Sequence, residues 1–584
     1  MRYLYLLMCF FIQASLMAQV PSWAARIKSI SEDYVSDLAT DAEGNVYAVG
    51  RFLDGVDFDP GPGIYNLNNF TQEKGNLFCV KYSSEGNLIW AKQIGGDRGV
   101  SVHPVNAEYL HPKIALDGNG YLYITGLFDY RMDLDPSSSG SFFLPLLSST
   151  SATTRFLGKY TTDGDFVWAK RVGDENILGS VFNNMKVDTA GNIYLAGHFW
   201  NTVDFDPGPG TFNLTSDNKY DIVFMKITTN GDFAWARKIG NPGVDDIVKK
   251  IAIDGQSLYI TGSYRGLVDF DPQSGVYNLQ SESNSEDAYI AKYNLSDGGL
   301  QWAKTLGSGN GYDVGYAIQV DNSGNVYTSG HYRGTVDFDF SPNSTYPMTA
   351  LGTGYSMYLL KLNTLGEFIW VKQFDAMGQL FPSETRPYDI AVKGDRVYFT
   401  GYFLTSMDCN PAANQQFIIN SNGGNYDIYL ISLDTNGSFL WAKSYGGVLH
   451  DYPYAVRIDK NDDIILGGKY SDKVNFFPTI TNENVDGYDG FTIKLNKNGF
   501  LKTDDIATAE KIRIYPNPTS DKIFINSESE ILDVKVFDID GRLLLTKNVT
   551  GNSTDLDMTN LKVGMYTITV TGSLKSFSKK IIKK

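Results

Sequence analysis

The chain has 584 residues, 66 of them acidic and 50 basic, for a formal net charge of -16. That balance argues against a protein that grips nucleic-acid backbone, which needs a basic surface. Aromatic residues make up 14% and glycines number 58, a mixture that fits short strands joined by tight turns better than helices.

The N-terminus reads as a secretory signal over residues 1–18. Arg2 supplies the positive start, Leu4 to Ile12 an apolar run, and Ser15-Leu16-Met17-Ala18 a small residue before Gln19. The apolar run is too short to span a bilayer. Cys9 lies inside it after bulky Met8, which argues against a lipoprotein anchor. No later segment has the length and apolarity of a membrane helix, so no transmembrane segment is expected once the signal is removed. Only Cys79 and Cys409 then remain, at different places in their repeats. No disulfide framework is implied, and both are expected to pack as small apolar residues.

Between the signal and residue 502 the chain repeats itself. Trp-Ala-Lys recurs at Trp90, Trp168, Trp302 and Trp441, with Trp-Ala-Arg at Trp235 and Trp-Val-Lys at Trp370, spaced 67 to 78 residues apart. A near-fixed period of this size means one supersecondary unit has been copied along the chain. In the first unit, Leu38–Asp41 reads as a strand, Ala42–Asn45 as a turn and Val46–Phe52 as a second strand. An irregular loop follows. Leu77–Tyr82 is the third strand, and Ser84–Asn87 turns into Leu88–Lys92. Short β-rich runs bounded by Gly, Asn and Asp are strand and hairpin signals. Seven units result, ending near Trp90, Trp168, Trp235, Trp302, Trp370, Trp441 and Lys502. The seventh lacks its Trp strand, and Ser22–Ile27 has the pattern of the missing one. The N-terminal strand is therefore expected to complete the last unit and close a ring, which protects edges that an open array would expose.

Four strands per unit and seven units point to an all-β fold, a seven-bladed β-propeller over residues 22–502. The Tyr-x-x-Gly strand, the Val-Asp-Phe-Asp loop and the Trp-Ala-Lys strand resemble the bacterial SBBP-type propeller repeats. That resemblance implies the fold and carries little function.

The loop between the second and third strands holds the most repetitive polar motif. It pairs Asp57 with Asp59, Asp133 with Asp135, Asp204 with Asp206, Asp269 with Asp271 and Asp337 with Asp339, then decays to Asp408-Cys409-Asn410 and Asn475-Phe476-Phe477. In an extended segment both carboxylates point to one side and the apolar residue between them to the other. Two such carboxylates followed by Pro-Gly can hold Ca²⁺ with backbone oxygens. The commoner alternative, favoured here, is that the carboxylates cap the turn's own N–H groups. The motifs require no cofactor, and Ca²⁺ is the one candidate.

The repeated Trp residues are expected to pack blades together. Trp200 lies outside the repeat position and is the best single candidate for a surface contact. Of the five His, His198 and His331 occupy equivalent strand ends where other units carry Arg51, Leu127, Ser263, Tyr402 and Lys469, and so read as tolerated variation. No zinc-helix spacing, phosphate loop or other catalytic constellation is visible.

After Lys502 the composition shifts. Residues 503–511 read as a polar linker. Tyr515-Pro516-Asn517-Pro518 then precedes alternating strands, a turn at Asp540-Gly541 and the strand Leu561-Lys562-Val563-Gly564-Met565-Tyr566. The pattern predicts a small Ig-like β-sandwich over 512–584. The order of these motifs and the basic end closely resembles the type A C-terminal sorting domain of the type IX secretion system of Bacteroidota. That resemblance implies a sorting motif at Tyr515, Pro516, Asn517, Pro518, Gly541, Gly564 and Tyr566. It also implies delivery by the type IX translocon to the cell surface or medium. The expected protein is an exported binding or scaffold module for an extracellular glycan or protein. The alternatives are a polysaccharide-active enzyme using carboxylates on a propeller face, and a structural adhesion component.

Overall fold

The structure is a computed structural model. It describes residues 23–499 and 513–584, apart from 30–31, 69–74, 96–110, 130–131, 138, 145–152, 174–179, 310, 352–353, 378–384, 413–414, 424, 472–473, 475–486, 516–517, 528–530, 539–541 and 573–575. The signal segment, the linker, Pro516, Asn517 and Gly541 lie outside the described residues. Two compact units result, Met1–Lys502 and Thr503–Lys584.

The first unit is all-β; its one helical segment among the described residues is the 3₁₀ turn Glu282–Asn284. The repeat builds a four-stranded antiparallel sheet in sequence order. The first sheet comprises Tyr34–Thr40, Val46–Phe52, Asn76–Tyr82 and Leu88–Ile94. Five more follow within 113–172, 180–239, 247–306, 314–377 and 385–445. The seventh has only Tyr452–Ile458, Ile464–Tyr470 and Asp489–Leu495 from its own repeat. Ala24–Ile27 adds the fourth strand, with Ala24 opposite Ile493 and Ile27 opposite Gly490. First strands touch first strands round a closed circuit, from Tyr34–Thr40 through each sheet to Tyr452–Ile458 and back.

The first strand is longer than the sequence suggested, and it carries an extra residue. In six sheets its pairing slips by one, at Ser36, Asn183, Lys249, Tyr316, Tyr388 and Tyr454. Such bulges re-aim side chains and recur beside binding sites. The glycine of the Tyr-x-x-Gly strand answers to this kink. A Cβ on Gly50 would overlap the Tyr34 carbonyl oxygen, and one on Gly330 the Val314 carbonyl oxygen. Here glycine is demanded by close backbone approach rather than by φ.

The sheets are tied to one another by the repeated Trp. Trp90 donates its indole N–H to the Thr162 carbonyl, at the turn before the last strand of the next sheet (3.2 Å). Trp168, Trp302, Trp370 and Trp441 do the same to Thr229, Thr364, Thr435 and Lys497. Trp23 reaches Ser84 of the first sheet (3.3 Å), so the N-terminal strand closes the circuit with the same bond. A third-strand lysine points at the same carbonyl: Lys81 at Thr162, Lys292 at Thr364, Lys361 at Thr435 and Lys494 at Ser84. Each of Lys81, Lys292 and Lys361 also lies about 5 Å over a second-strand ring, Tyr47, Tyr259 or Tyr327. Trp235 is the exception. Its next-sheet turn closes from Asn294 to Gly298, one residue longer than the others, and its indole N–H meets no acceptor.

The second unit pairs a three-stranded sheet (Arg513–Tyr515, Lys522–Asn526, Ser553–Asp557) with a four-stranded one (Leu543–Asn548, Ile531–Phe537, Gly564–Gly572, Ser576–Lys583). Ile514, Ile523, Ile525, Val534, Val536, Ile568 and Ile581 form a shared apolar core. The chain end is held: Thr519 N–H donates to the Ile582 carbonyl, and Lys584 N–H to the Thr519 carbonyl.

Candidate functional site

Two places in the first unit concentrate polar chemistry: the acidic loops and the circuit's centre. The loops are not irregular. Val56–Asp57 pairs with Asn66–Leu67, and Thr202–Asp204, Leu267–Asp269, Thr335–Asp337 and Ser406–Asp408 form equivalent small hairpins. Phe58, Leu134, Phe205, Phe270 and Phe338 are buried, and the aspartates beside them are half-buried or exposed.

The carboxylates cap their own turns. Asp57 Oδ1 accepts the N–H groups of Asp59 and Tyr65 (3.0 and 2.8 Å). Asp133, Asp204, Asp269 and Asp337 repeat this on Asp135 and Phe142, Asp206 and Phe212, Asp271 and Tyr277, and Asp339 and Tyr346. The second aspartate of each pair accepts the N–H two residues on, as Asp206 does from Gly208 (2.7 Å). Its other oxygen lies against a glycine in four of the five loops, and in the fifth Asp339 Oδ2 accepts from the Ser344 hydroxyl (2.6 Å). A Cβ on Gly63, Gly140, Gly210 or Gly275 would overlap Oδ2 of Asp59, Asp135, Asp206 or Asp271. Sequence reasoning passed over these glycines, although Pro-Gly-Pro-Gly in two copies marked the tight fold-back. Among the described residues no group of three or more His, Cys, Asp or Glu is placed to hold a metal ion.

The centre was missed from sequence. The bulged residues and the strand-end positions dismissed as variation come together there. Tyr454 contacts His111 (4.8 Å between centroids), Tyr34 (6.2 Å) and Tyr388 (5.4 Å). Tyr388 contacts Tyr402, and the Arg386 guanidinium lies 4.3 Å over the Tyr316 ring. Tyr316 faces His331, and His331 faces Tyr355 (both 5.1 Å). On the other side Tyr402 meets Tyr426 and Tyr452, and the Lys469 ammonium lies 3.9 Å over Tyr488. His198 packs on Tyr220, which touches the 41% exposed Trp200. The signal that could have found this cluster was the position itself: Arg51, His198, His331, Tyr402 and Lys469 are aligned, polar or aromatic, and never large aliphatics except at Leu127.

Deeper on the first strands lies an ion-pair network. Asp389 accepts Lys250 (3.0 Å) and Arg457 (2.7 Å), and Arg457 also holds Asp37 (2.6 Å) and the Leu38 carbonyl (2.8 Å). Burial alone would raise the Asp389 carboxyl; Lys250, Arg457 and Lys186 outweigh it and hold it well below the usual range.

His111, His198 and His331 are buried. Burial, then nearby cations, pushes His198 and His331 down to about 3. Asp33, Asp246 and Asp313 show the opposite behaviour: burial raises them to about 8, 7 and 7. Each accepts two or more backbone N–H groups, as Asp313 does from Arg333 and Ser308, which reads as a structural tie.

Residues 513–584 match the family model of secretion system C-terminal sorting domains. The second unit is a sorting domain. That match supports export to the cell surface by way of the type IX machinery, and no helix among the described residues is long and apolar enough to cross a membrane. Of its motif, Tyr515 is exposed and accepts from Asn526 (2.8 Å), Pro518 is exposed, and Gly564 opens the strand that carries Tyr566. Tyr566 is buried, with its hydroxyl on the Lys562 carbonyl (2.7 Å). An uncharacterised WD repeat-containing protein of Acanthamoeba polyphaga mimivirus is 24% identical over 553 residues, covering 81% of this chain and 38% of that protein. The chain thus spans under two fifths of that relative. Among solved structures, PorZ, a surface component of the type IX secretion system of Porphyromonas gingivalis, has 11% identity, covers 96% of this chain and all of that one, and has a TM-score of 0.16. Virginiamycin B lyase of Staphylococcus aureus has 9% identity, covers 65% of this chain and 94% of that one, and has a TM-score of 0.29. At these scores neither likeness bears on fold or activity.

Two outcomes are expected. Because Oδ1 of each loop aspartate is committed to backbone N–H, millimolar Ca²⁺ and a chelator should give the same melting temperature. A rise of several degrees with Ca²⁺ would restore the metal reading. The second concerns pH. The folded pKa values of Asp33, Asp246 and Asp313 stand above the unfolded value near 4, so their contribution is complete at low pH and is lost as pH rises through about 7–8. The buried histidines act in the opposite sense and have finished by about pH 6.5. Melting temperature should therefore fall between pH 6.5 and 8, and fall less steeply in Asp313→Asn; equal slopes would contradict the assignment.

Proposed function

We propose that the protein is an exported cell-surface binding module: a seven-bladed β-propeller, delivered by an Ig-like sorting domain, that takes an extracellular glycan at the tyrosine-lined centre of its ring. The observation that carries this is the convergence of Tyr316, Tyr388 and Tyr454 at bulges of three neighbouring inner strands, flanked by Arg386 and Lys469. Tyrosine offers an amphipathic face with a polar tip, suited to a ligand that is apolar on one side and hydroxylated at its rim. Aromatic faces beside a few charged groups are the side chains that small-ligand sites use. The acidic hairpins, whose carboxylates serve their own turns, are the rim of this surface rather than its recognition element.

The test is a glycan array probed with the intact chain. Tyr388→Ala combined with Tyr454→Ala should lose the retained glycans by tenfold or more, with Asp204→Asn unchanged. Equal loss in both variants, or retention in the tyrosine pair, would contradict the site. Hydrolysis of a retained glycan would make the protein an enzyme.

A further inference from the structure

The inner strands place their axial side chains at two register positions. One carries Asp37, Lys113, Asn184, Lys250, Ala317, Asp389 and Ala455. The other is small or aliphatic in most sheets but holds Lys186, Gln319 and Arg457. Four cations and two carboxylates therefore meet at the centre of a chain with sixteen more acidic than basic residues. The carboxylates are fully used by Lys250, Arg457 and backbone N–H groups: Asp37 also accepts from Ile114, and Asp389 from Val456. Among the described residues Lys186 makes no ion pair or hydrogen bond, and it lines a cavity of about 180 Å³ together with Lys250, Gln319, Asp389 and Arg457. The space exceeds that of a single water several-fold. A half-buried, unpaired ammonium is costly unless something neutralises it. Arg457 and Lys250, fixed in place by Asp389, complete a positive wall around it.

We propose that this axial cavity is an oxyanion site, in which Lys186, with Arg457 and Lys250 beside it, binds a carboxylate, sulfate or phosphate group. Burial above all, and the Arg457 and Lys250 charges after it, brings Lys186 down to about 8, and the attraction of Asp389 and Asp37 offsets them only in part. The site does not depend on the tyrosine-lined mouth, and the two fail separately.

The experiment is a thermal shift of the full chain in phosphate, sulfate and sodium glucuronate, each against sodium chloride at matched ionic strength, with glucose as the neutral control. At least one oxyanion should raise the melting temperature in a saturable way, and glucose should not. Free phosphate or sulfate acting alone identifies an inorganic ion; glucuronate identifies the acidic sugar. In Lys186→Met the shift should disappear or need at least tenfold more ligand, while the unliganded protein melts at the same or a higher temperature, because an uncompensated charge has been removed. No oxyanion effect beyond chloride would overturn the proposal. So would a shift that persists in Lys186→Met, or a Lys186→Met protein that is itself destabilised, which would make the lysine a structural one.

Discussion

One backbone carbonyl in six of the seven sheets carries the assembly. At the turn before the last strand, the carbonyl of Ser84, Thr162, Thr364, Thr435 or their equivalents receives an indole N–H from the preceding sheet, in most cases with a lysine ammonium as well. A neutral hydrogen bond contributes about 1 kcal/mol and a charge-assisted one about 1.5–3 kcal/mol. The bond also fixes direction: each sheet is latched to the next by its outer strand and packs against it by its inner one. The tyrosine of the second strand packs against the Trp at 6.0 to 6.5 Å, edge-on in four sheets and tilted in two. Where the last sheet would be left open, Trp23 supplies the donor and Lys494 the cation, both to Ser84.

The latch frees the centre for chemistry. Because the sheets hold one another at the periphery, the inner strands need not be uniform. Their bulges vary from Ser36 to Lys249 to Tyr454, and their axial positions accept charges that a close-packed core would reject. The charged residues that are deepest here are paired across sheets, Arg457 to Asp37 and Asp389, so they join first strands that do not share a sheet. The repeated latch and the variable polar centre thus occupy different radii of the same ring.

The periphery was legible in the sequence and the centre was not, for a physical reason. A latch works the same way from sheet to sheet, so Trp-Ala-Lys and the Gly-containing turns repeat and announce themselves. The alternation Val-Asp-Phe-Asp likewise showed which residues are buried, though the regular hairpin it opens was taken for a loop. The centre is asymmetric, and its residues differ between copies. Tyr316, Tyr388 and Tyr454 sit at an extra residue that shifts register without changing the apolar pattern, and His198 and His331 looked like noise for the same reason. Lys186 could be seen as central only once its strand was paired. The sorting domain lay at the other extreme: its motif order was enough, and the Tyr566 of that motif is buried with its hydroxyl on the Lys562 carbonyl.

The central claim is that one latch, made at six of the seven sheet-to-sheet steps, closes the sheets into a single cooperative ring. Equilibrium urea unfolding of Trp23→Ala beside Trp370→Ala tests it most directly. A closed ring predicts one transition in both proteins, moved to lower urea by a similar amount, with a loss of about 2–4 kcal/mol for these partly exposed indoles. A Trp23→Ala protein whose main transition stays where it was, with only a small early phase, would show an open array with a frayed end and contradict the account.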